Sequence, residues 1–470
     1  MLSAVVLAFA AATNVAFAAT SVSRPPESTL EPSLTQILAT EATQAALSPV
    51  SNVAGKGFDR IVQIWLENTD YDKAAGDPNM QWLASQGITL TNYWATTHPS
   101  EPNYCAVVGG DNFGMDNDDF NTVPANVSTV VDLLDTKGIS WGEYQEGSPY
   151  AGFQGFNYSN QANFANMYVR KHNPLILYDS VTSNATRLSL IKNFTSFSSD
   201  LAAKTLPQWS FVTPNMTNDG HDTTITFAAN WARSFLAPLL NNTYFMNNTL
   251  IVLTFDETET YTVGNKIFTI LLGGAIPSSL KNTTDNTFYN HYSMLSTVEV
   301  NWDLPSLGRW DCGANVLEIV ANKTGYDNYV VDTSNLFFNS SYPGPLSDAR
   351  YVLKWPVPNT GAFCAAGKGV LSSVASTWGK SNGTYNYTNP YPYNDASGND
   401  VGGSISLSTP TPTGSTSGTP SGSASGTPTG SSTGAASSAS KSSVATSNGA
   451  SFAAVAGAFS WAAIYSIFGM

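Results

Sequence analysis

The run Ile61-Val62-Gln63-Ile64-Trp65-Leu66 decides the fold, because it is a short, nearly continuous apolar stretch that stops at the polar pair Glu67-Asn68. A second run of this kind, Leu250-Ile251-Val252-Leu253-Thr254-Phe255, stops at Asp256-Glu257. Strands buried on both faces of a parallel sheet have this composition, and open α/β sheets place their ligands at the carboxyl ends of such strands. The two runs therefore predict buried parallel strands with acidic groups where a ligand would bind.

Strand and helix signals alternate through the middle of the chain. Asp77-Pro78 and Gly87, for example, supply the N-cap, first-turn proline and terminal glycine of a helix. Strands that alternate with helices indicate βαβ units, and so an α/β fold with three layers: a mostly parallel central sheet with helices on both faces. The predicted strands are 60–66, 88–94, 139–144, 209–212, 250–255 and 266–272, and the predicted helices are 77–87, 100–108, 128–134, 198–204 and 226–240.

The stretch from Thr96 to Tyr104 presents a hydroxyl at a predicted helix start. Ser100 has the position of an N-cap, Glu101-Pro102 suits a first turn, and Gly109-Gly110 suits the end of the helix. Free backbone N–H groups at such a helix end favour a phosphate. By this local pattern alone Ser100 has two interpretations, a cap or a nucleophile.

The two ends of the chain differ in composition from its middle. Residues 1–19 suit a signal peptide, 20–57 an N-terminal arm, and 58–395 one large domain. Residues 396–448 are rich in Ser, Thr, Gly and Pro and predict an extended stalk. The apolar tail at 449–470 has no charge after it and predicts a GPI-attachment signal, with a transmembrane helix as the alternative.

Asn-x-Ser/Thr sites are frequent after the predicted signal peptide, and together these features predict a secreted glycoprotein. With the predicted GPI tail, the protein would be anchored at the cell surface, to the plasma membrane or the cell wall. Cell-wall glycans would then be further partners. Three cysteines suit an oxidising compartment if Cys312 and Cys364 pair and Cys105 stays a buried thiol. The twelve sites are Asn126, Asn157, Asn184, Asn193, Asn215, Asn241, Asn247, Asn282, Asn322, Asn339, Asn382 and Asn386.

The charge of the chain limits its partners. A formal net charge of −14 argues against a nucleic acid or an anionic membrane surface, since both repel an acidic protein. The same charge suits a protein that stays soluble at low external pH.

Five motifs together resemble those of the phosphoesterase family that joins secreted acid phosphatases with phosphatidylcholine-type phospholipases C, and most closely its fungal acid phosphatases. The resemblance runs from about Phe58 to about Asp311 and implies an alkaline-phosphatase-like fold. The motifs are Glu67-Asn68, Ser100 three residues before Asn103, Asp219-Gly220-His221-Asp222, Asp256-Glu257 and His291-Tyr292-Ser293.

These residues offer the parts that hydrolysis of a phosphate ester needs. Ser100 would attack phosphorus and form a phosphoserine, and Asn103, one helical turn on, would reach the same phosphoryl oxygens. Oxygen ligands favour Mg²⁺, Ca²⁺ or Mn²⁺ as the divalent metal ion over Zn²⁺. The predicted metal ligands are Glu67, Asn68, Asp256 and Glu257, although either acidic pair alone could be a solvated charge.

Histidines are scarce, with only four in the chain. His98, His221 and His291 fall in the quoted stretches and are candidates for a proton donor or phosphate ligand, while His172 is predicted to lie on the surface. A protonated imidazole suits catalysis in acid. Asp219 and Asp222 flank His221 and complete the predicted catalytic set.

Three functions remain open on this sequence. The first is a secreted acid phosphatase that releases orthophosphate from phosphate monoesters. The second is a phospholipase C or other phosphodiesterase. The phospholipases of the family resemble one another in carrying Ser-Phe-Asp after the Glu-Asn pair, whereas this chain has Thr69-Asp70-Tyr71-Asp72, which favours the monoesterase. The third is a non-enzymatic surface or wall glycoprotein, which would not require the joint presence of these site residues.

Overall fold

The two apolar runs lie side by side at the centre of the molecule, as seen in a computed structural model. The structure describes residues 31–381 and the short strands at 385–386 and 406–407. Arg60–Leu66 pairs in parallel with Thr249–Phe255 along its whole length, and every residue of the latter strand is buried. The predicted pair of buried parallel strands is confirmed.

The elements below are those of the described residues. The strands are β1 Arg60–Leu66, β2 Ile88–Trp94, β3 Trp141–Gln145, β4 Asn157–Ser159, β5 Asn166–Val169, β6 Ile191–Asn193, β7 Trp209–Thr213, β8 Thr249–Phe255, β9 Lys266–Leu272, β10 Thr283–Asp285, β11 Tyr289–Asn290, β12 Tyr385–Asn386 and β13 Ser406–Leu407. The helices are α1 Leu34–Glu41, α2 Tyr71–Gly76, α3 Pro78–Ala84, α4 Ser100–Gly109, α5 Val130–Asp135, α6 Asp179–Thr182, α7 Ala185–Leu188, α8 Phe194–Ala203, α9 Ile225–Leu239, α10 Thr243–Met246, α11 His291–Trp302, α12 Glu318–Thr324 and α13 Ser372–Trp378, with 3₁₀ turns at Arg170–His172, Leu175–Leu177 and Ser278–Leu280.

Nine of the described strands form the central sheet, in the order β10-β2-β9-β8-β1-β7-β3-β6 with β11 also paired to β2. Neighbours from β8 to β6 are all parallel, and β2 pairs in parallel with β10 and β11. Within this sheet β9 alone runs against its neighbours. Its connection from β8, residues 256–265, is shorter than the dozen or so residues that a parallel crossover needs. The mostly parallel sheet is confirmed.

The helices cover the sheet in two groups. Contacts join α2, α3 and α9 in one group, and α4, α5, α11 and α12 in the other. Every residue of α4 and of α11 is buried, so these two helices lie inside the molecule rather than on its surface. The predicted three-layer α/β architecture is confirmed, and α4 brings its first residue, Ser100, into the interior.

Residues before β1 pack on this domain in the part that the structure describes. The side chain of Gln208 accepts a hydrogen bond from the Val53 N–H at 2.8 Å and donates one to the Val53 carbonyl at 2.8 Å. Asn301 Oδ1 accepts one from the Gly57 N–H at 2.7 Å. Such partners are distant in sequence, which is why the composition of 20–57 indicated only an arm.

The cysteines follow the pairing that the sequence left as an option. Cys312 and Cys364 form a disulfide, and Cys105 is a buried free thiol. No helix of residues 31–381 is long and apolar enough to cross a membrane. The predicted signal peptide and the GPI tail lie outside the described residues. Of the predicted stalk, the structure describes only residues 406–407.

Candidate active site

The acidic pairs meet at one edge of the sheet because β1 and β8 are parallel neighbours. The Asn68 N–H donates to Asp256 Oδ1 at 3.1 Å, and Asn68 Nδ2 donates to Glu257 Oε1 at 2.9 Å. Both Glu67 and Asp256 are buried. The structure thus brings together the four residues that the sequence predicts as metal ligands.

Ser100 lies between these two pairs. Its Oγ is 3.3 Å from Glu67 Oε2 and 3.3 Å from Glu257 Oε1. The predicted N-cap role is wrong, because α4 begins at Ser100 and its N-cap is Pro99. The predicted end of this helix is confirmed, since Gly110 is a left-handed C-cap whose N–H bonds to the Ala106 carbonyl. The Ser100 hydroxyl is therefore held by the acidic groups and not by the backbone.

Two further side chains of α4 face the same way as Ser100, as spacings of three and four residues require. Asn103 Oδ1 accepts from the Thr96 N–H at 2.9 Å, and its Nδ2 donates to the Thr97 carbonyl at 2.9 Å. That amide also lies 3.5 Å from Glu257 Oε2. Asn103 therefore fixes the loop before Ser100. The Tyr104 hydroxyl donates to Glu67 Oε1.

The segment after β7 adds an acidic residue, Asp219, to the two polar pairs. Asp219 is fully buried, and its Oδ1 accepts from the His221 N–H at 2.8 Å. Gly220, with φ +104°, makes the sharp turn that non-glycine residues resist. His221 is partly exposed; its Nδ1 lies 3.0 Å from Asp222 Oδ1 and its Nε2 lies 3.3 Å from Lys171 Nζ. Asp219 thus lies inside the site, and His221 and Asp222 lie at its exposed mouth.

His172 corrects the sequence analysis, because it is buried and not on the surface. Its Nε2 is 3.2 Å from Glu67 Oε2 and its Nδ1 is 3.5 Å from Asp219 Oδ2. Arg170-Lys171-His172 is so polar that it resembles an exposed turn, yet the residues form a 3₁₀ turn packed against α4. Burial opposes a charge on His172, but Glu67 and the hydrogen bond to Asp219 raise the pKa of His172.

The other two candidate histidines differ from each other. His98 Nδ1 lies 2.6 Å from Glu257 Oε2, and its ring stacks on Tyr261. His291 is fully buried; its Nε2 lies 2.7 Å from the Asp256 carbonyl and its Nδ1 lies 3.4 Å from the Tyr93 hydroxyl. Burial lowers the pKa of His98 to about 4 and that of His291 to about 3. His291 is therefore enclosed, and it positions the loop after β8.

Buried carboxyl groups dominate the electrostatics of the site. Burial opposes the charge on Glu67, but His172 lowers the pKa of Glu67 to about 2. Burial raises the pKa of Asp219 to about 6. Burial and the charge of Glu67 raise the pKa of Asp256 and of Glu257 well above the usual range. Such a group of like charges needs a cation or protons.

The residues present fit a divalent cation. Asn68 Oδ1 and Asp256 Oδ2 are buried oxygen atoms without a hydrogen-bond donor, and both belong to the predicted ligand set. Such atoms are costly to bury unless they are satisfied. Glu67, His172 and Asp219 also present ligand atoms within 4.8 Å of one another. The site can therefore hold a metal on oxygen ligands, with a histidine nearby.

Three residues of the site were missed in the sequence. Tyr104 follows Ser100 by one helical turn, a spacing that could have indicated it. His172 could have been singled out because the chain has only four histidines. Lys171 gave no signal, since its place depends on how the 170–172 turn packs.

Comparisons with known proteins show the family of the chain. Residues 75–305 match the Phosphoesterase family. An acid phosphatase of Aspergillus fumigatus is 66% identical over 370 residues, 78% of this chain and 83% of that protein. A phosphate-repressible acid phosphatase of Penicillium chrysogenum is 57% identical over 371 residues, 79% of this chain and 90% of that protein.

A more distant relative is named for a different activity. A phosphatidylinositol-3-phosphatase of Mycobacterium tuberculosis is 32% identical over 257 residues, 53% of this chain and 79% of that protein. The chain belongs to the phosphoesterase family and is a hydrolase. The interpretation as a non-enzymatic glycoprotein is thereby set aside.

Proposed function

We propose that the protein is an acid phosphatase that hydrolyses phosphate monoesters with Ser100 as nucleophile. The observation that carries this proposal is the position of the Ser100 hydroxyl, 3.3 Å from both Glu67 and Glu257 at the edge of the sheet. The relatives named as acid phosphatases support the substrate class.

The covalent step follows from these contacts. Ser100 Oγ attacks phosphorus, the bond between phosphorus and the leaving oxygen breaks, and the hydroxyl proton passes to a neighbouring carboxylate. Water then cleaves the phosphoserine and releases orthophosphate. Asn103 and Tyr104 keep Ser100 and Glu67 in place through both steps.

Glu67, Asn68, Asp256 and Glu257 would hold the metal ion. A divalent cation there would favour the ionised serine and neutralise charge on a phosphoryl oxygen. All four offer oxygen atoms, so Mg²⁺, Ca²⁺ or Mn²⁺ is the expected ion.

His221 is the proposed proton donor to the leaving group. It lies at the partly exposed mouth of the site, next to Asp222, whereas His291 is enclosed. A histidine that must keep its proton suits hydrolysis in acid.

The proposal extends to the location of the enzyme. The predicted signal peptide, sequons, stalk and GPI tail together support a secreted glycoprotein anchored at the cell surface. Six of the sequons in residues 31–381 have an exposed asparagine, which suits glycosylation: Asn126, Asn184, Asn241, Asn247, Asn282 and Asn322. Mass spectrometry of mature protein should detect glycans there and no peptide from residues 452–470.

Trapping of the phosphoserine tests the catalytic proposal. Acid quench of enzyme with a ³²P-labelled monoester should leave label on the peptide that contains Ser100. Ser100→Ala should lose both the label and, by about 10³-fold or more, kcat. The melting temperature should change little, because Pro99 and not Ser100 caps α4. Label on another residue, or retained turnover in Ser100→Ala, would exclude Ser100 as nucleophile.

A further inference from the structure

The buried carboxyl groups of the site repel a negatively charged phosphate ester. Glu67, Asp219, Asp256 and Glu257 are all buried at the edge of the sheet, and a phosphate monoester adds up to about two negative charges. One divalent ion offsets only part of this repulsion. A further positive group is needed close to Ser100.

The N-terminus of α4 supplies only part of this positive charge. The Glu101 N–H, which a phosphate oxygen could otherwise use, donates to Asp118 Oδ1 at 2.9 Å. Pro102 has no N–H to offer. Two of the positions that make a helix start attractive to anions are therefore occupied or missing.

Asp118 connects this helix start to a lysine. Its other oxygen, Oδ2, accepts from Lys171 Nζ at 3.0 Å. One carboxylate thus joins the backbone of the residue after Ser100 to the Lys171 ammonium. A second path runs through the neighbour of Lys171, since His172 contacts Glu67, which contacts Ser100. These contacts bring the Lys171 ammonium near the acidic groups around Ser100, and the charges of Asp118 and Glu67 act on it.

The 3₁₀ turn that carries Lys171 is fixed on both sides. Arg170 is buried, and its Nη2 donates to the Ile176 carbonyl at 2.8 Å, while His172 is held by Glu67 and Asp219. Arg170 is thus committed to the backbone. The Lys171 side chain is 16% exposed, so it borders solvent at the mouth of the site, where His221 Nε2 lies 3.3 Å away.

From this geometry we infer that Lys171 binds the phosphoryl group and selects the doubly charged monoester over the singly charged diester. Asp118 is the positioning residue that aims the ammonium. The inference rests on the proposed function and deepens it, because it assigns the monoester preference to one side chain. A diester has an ester group where the monoester has its second ionised oxygen, so it loses most of the benefit of Lys171.

The test compares Lys171→Met with the wild type on p-nitrophenyl phosphate and on bis(p-nitrophenyl) phosphate at pH 7, where the monoester is mostly a dianion. We expect kcat/KM for the monoester to fall about 10- to 100-fold, as for loss of a charge-assisted hydrogen bond. The diester value should fall less than about 3-fold. Lys171→Arg should restore most of the monoester activity, and Asp118→Asn should give a smaller loss of the same selectivity.

Lys137→Met is the matched control, because Lys137 also pairs with an aspartate, Asp303 at 3.3 Å, and should leave both activities unchanged. Equal losses on monoester and diester in Lys171→Met, or no loss on either, would overturn the inference. If Lys171→Met does not fold, the same comparison is made with Lys171→Gln.

Binding of inorganic phosphate separates this inference from the proposed function. Calorimetry on metal-loaded Ser100→Ala should show phosphate affinity about 10-fold or more weaker when Lys171→Met is added. This readout needs no turnover. Unchanged affinity would refute the role of Lys171 even if Ser100 is the nucleophile, whereas activity retained in Ser100→Ala would refute the proposed function alone.

Discussion

Two groups of buried carboxyl groups in this fold are stabilised in opposite ways. At the edge of the sheet, Glu67, Asp256 and Glu257 lie together with oxygen atoms that lack hydrogen-bond donors. In the helical layer, Glu299 of α11 and Asp311 are both fully buried and interact with each other. The first group opens toward Ser100, and the second is enclosed.

The partners of the two groups explain the difference. Asp311 accepts from the backbone N–H groups of Leu307 and Arg309, each at 2.7 Å, so its charge is stabilised by the fold itself. Glu299 has no donor on either oxygen, so the fold does not stabilise its charge. Burial first, and then Asp311, raises the pKa of Glu299 well above the usual range. The enclosed pair therefore favours a proton, whereas the site presents ligand atoms that could hold a cation.

Asp256→Asn and removal of metal should produce the largest effects in this comparison. Exhaustive chelation should abolish hydrolysis, and Asp256→Asn should lower kcat/KM by about 10²-fold or more, because a metal ligand is lost. In the chelated state the variant should melt higher than the wild type by a few degrees, since one of several like charges is gone. Elemental analysis, turnover and differential scanning calorimetry measure these quantities. Full activity after chelation would contradict the metal site.

His172→Gln should have an intermediate effect. His172 contacts Glu67 and Asp219, and loss of such an outer partner typically costs about 10- to 100-fold in metal affinity or activity. Metal titration of the variant, with kcat/KM at saturating metal, separates the two effects. A histidine on the surface would give neither, so wild-type affinity and activity would refute its role in the site.

Glu299→Gln should have the smallest effect on function and a distinct effect on stability. Because the folded pKa of Glu299 is raised, its contribution to stability is complete below the unfolded value of about 4.3 and is lost as the pH rises through the folded value. Each unit of that difference is worth about 1.4 kcal/mol. The variant should therefore lose less stability than the wild type as the pH rises above about 4.3. Urea melts across this range measure it, and parallel pH dependences would exclude the raised pKa of Glu299. Phosphatase activity should stay unchanged.

The core of the fold could be predicted from the sequence because its signals are local. The runs 61–66 and 250–255 are apolar enough to mark buried strands, and the polar pairs after them mark the edge where a ligand binds. The bounds of β9 agree with the prediction at both ends. Its antiparallel direction follows only from the short connection that precedes it.

The amino-acid sequence by itself determined six strands of the central sheet, the acidic pairs and Ser100, since each rests on residues within one short segment. Only the tertiary structure decided what surrounds them. It buried His172 and His291, joined Lys171 to Asp118, and enclosed Glu299 beside Asp311. The physical reason is that charge and access depend on neighbours far away in the chain: a histidine in a polar turn is exposed or enclosed according to which helix the turn packs against.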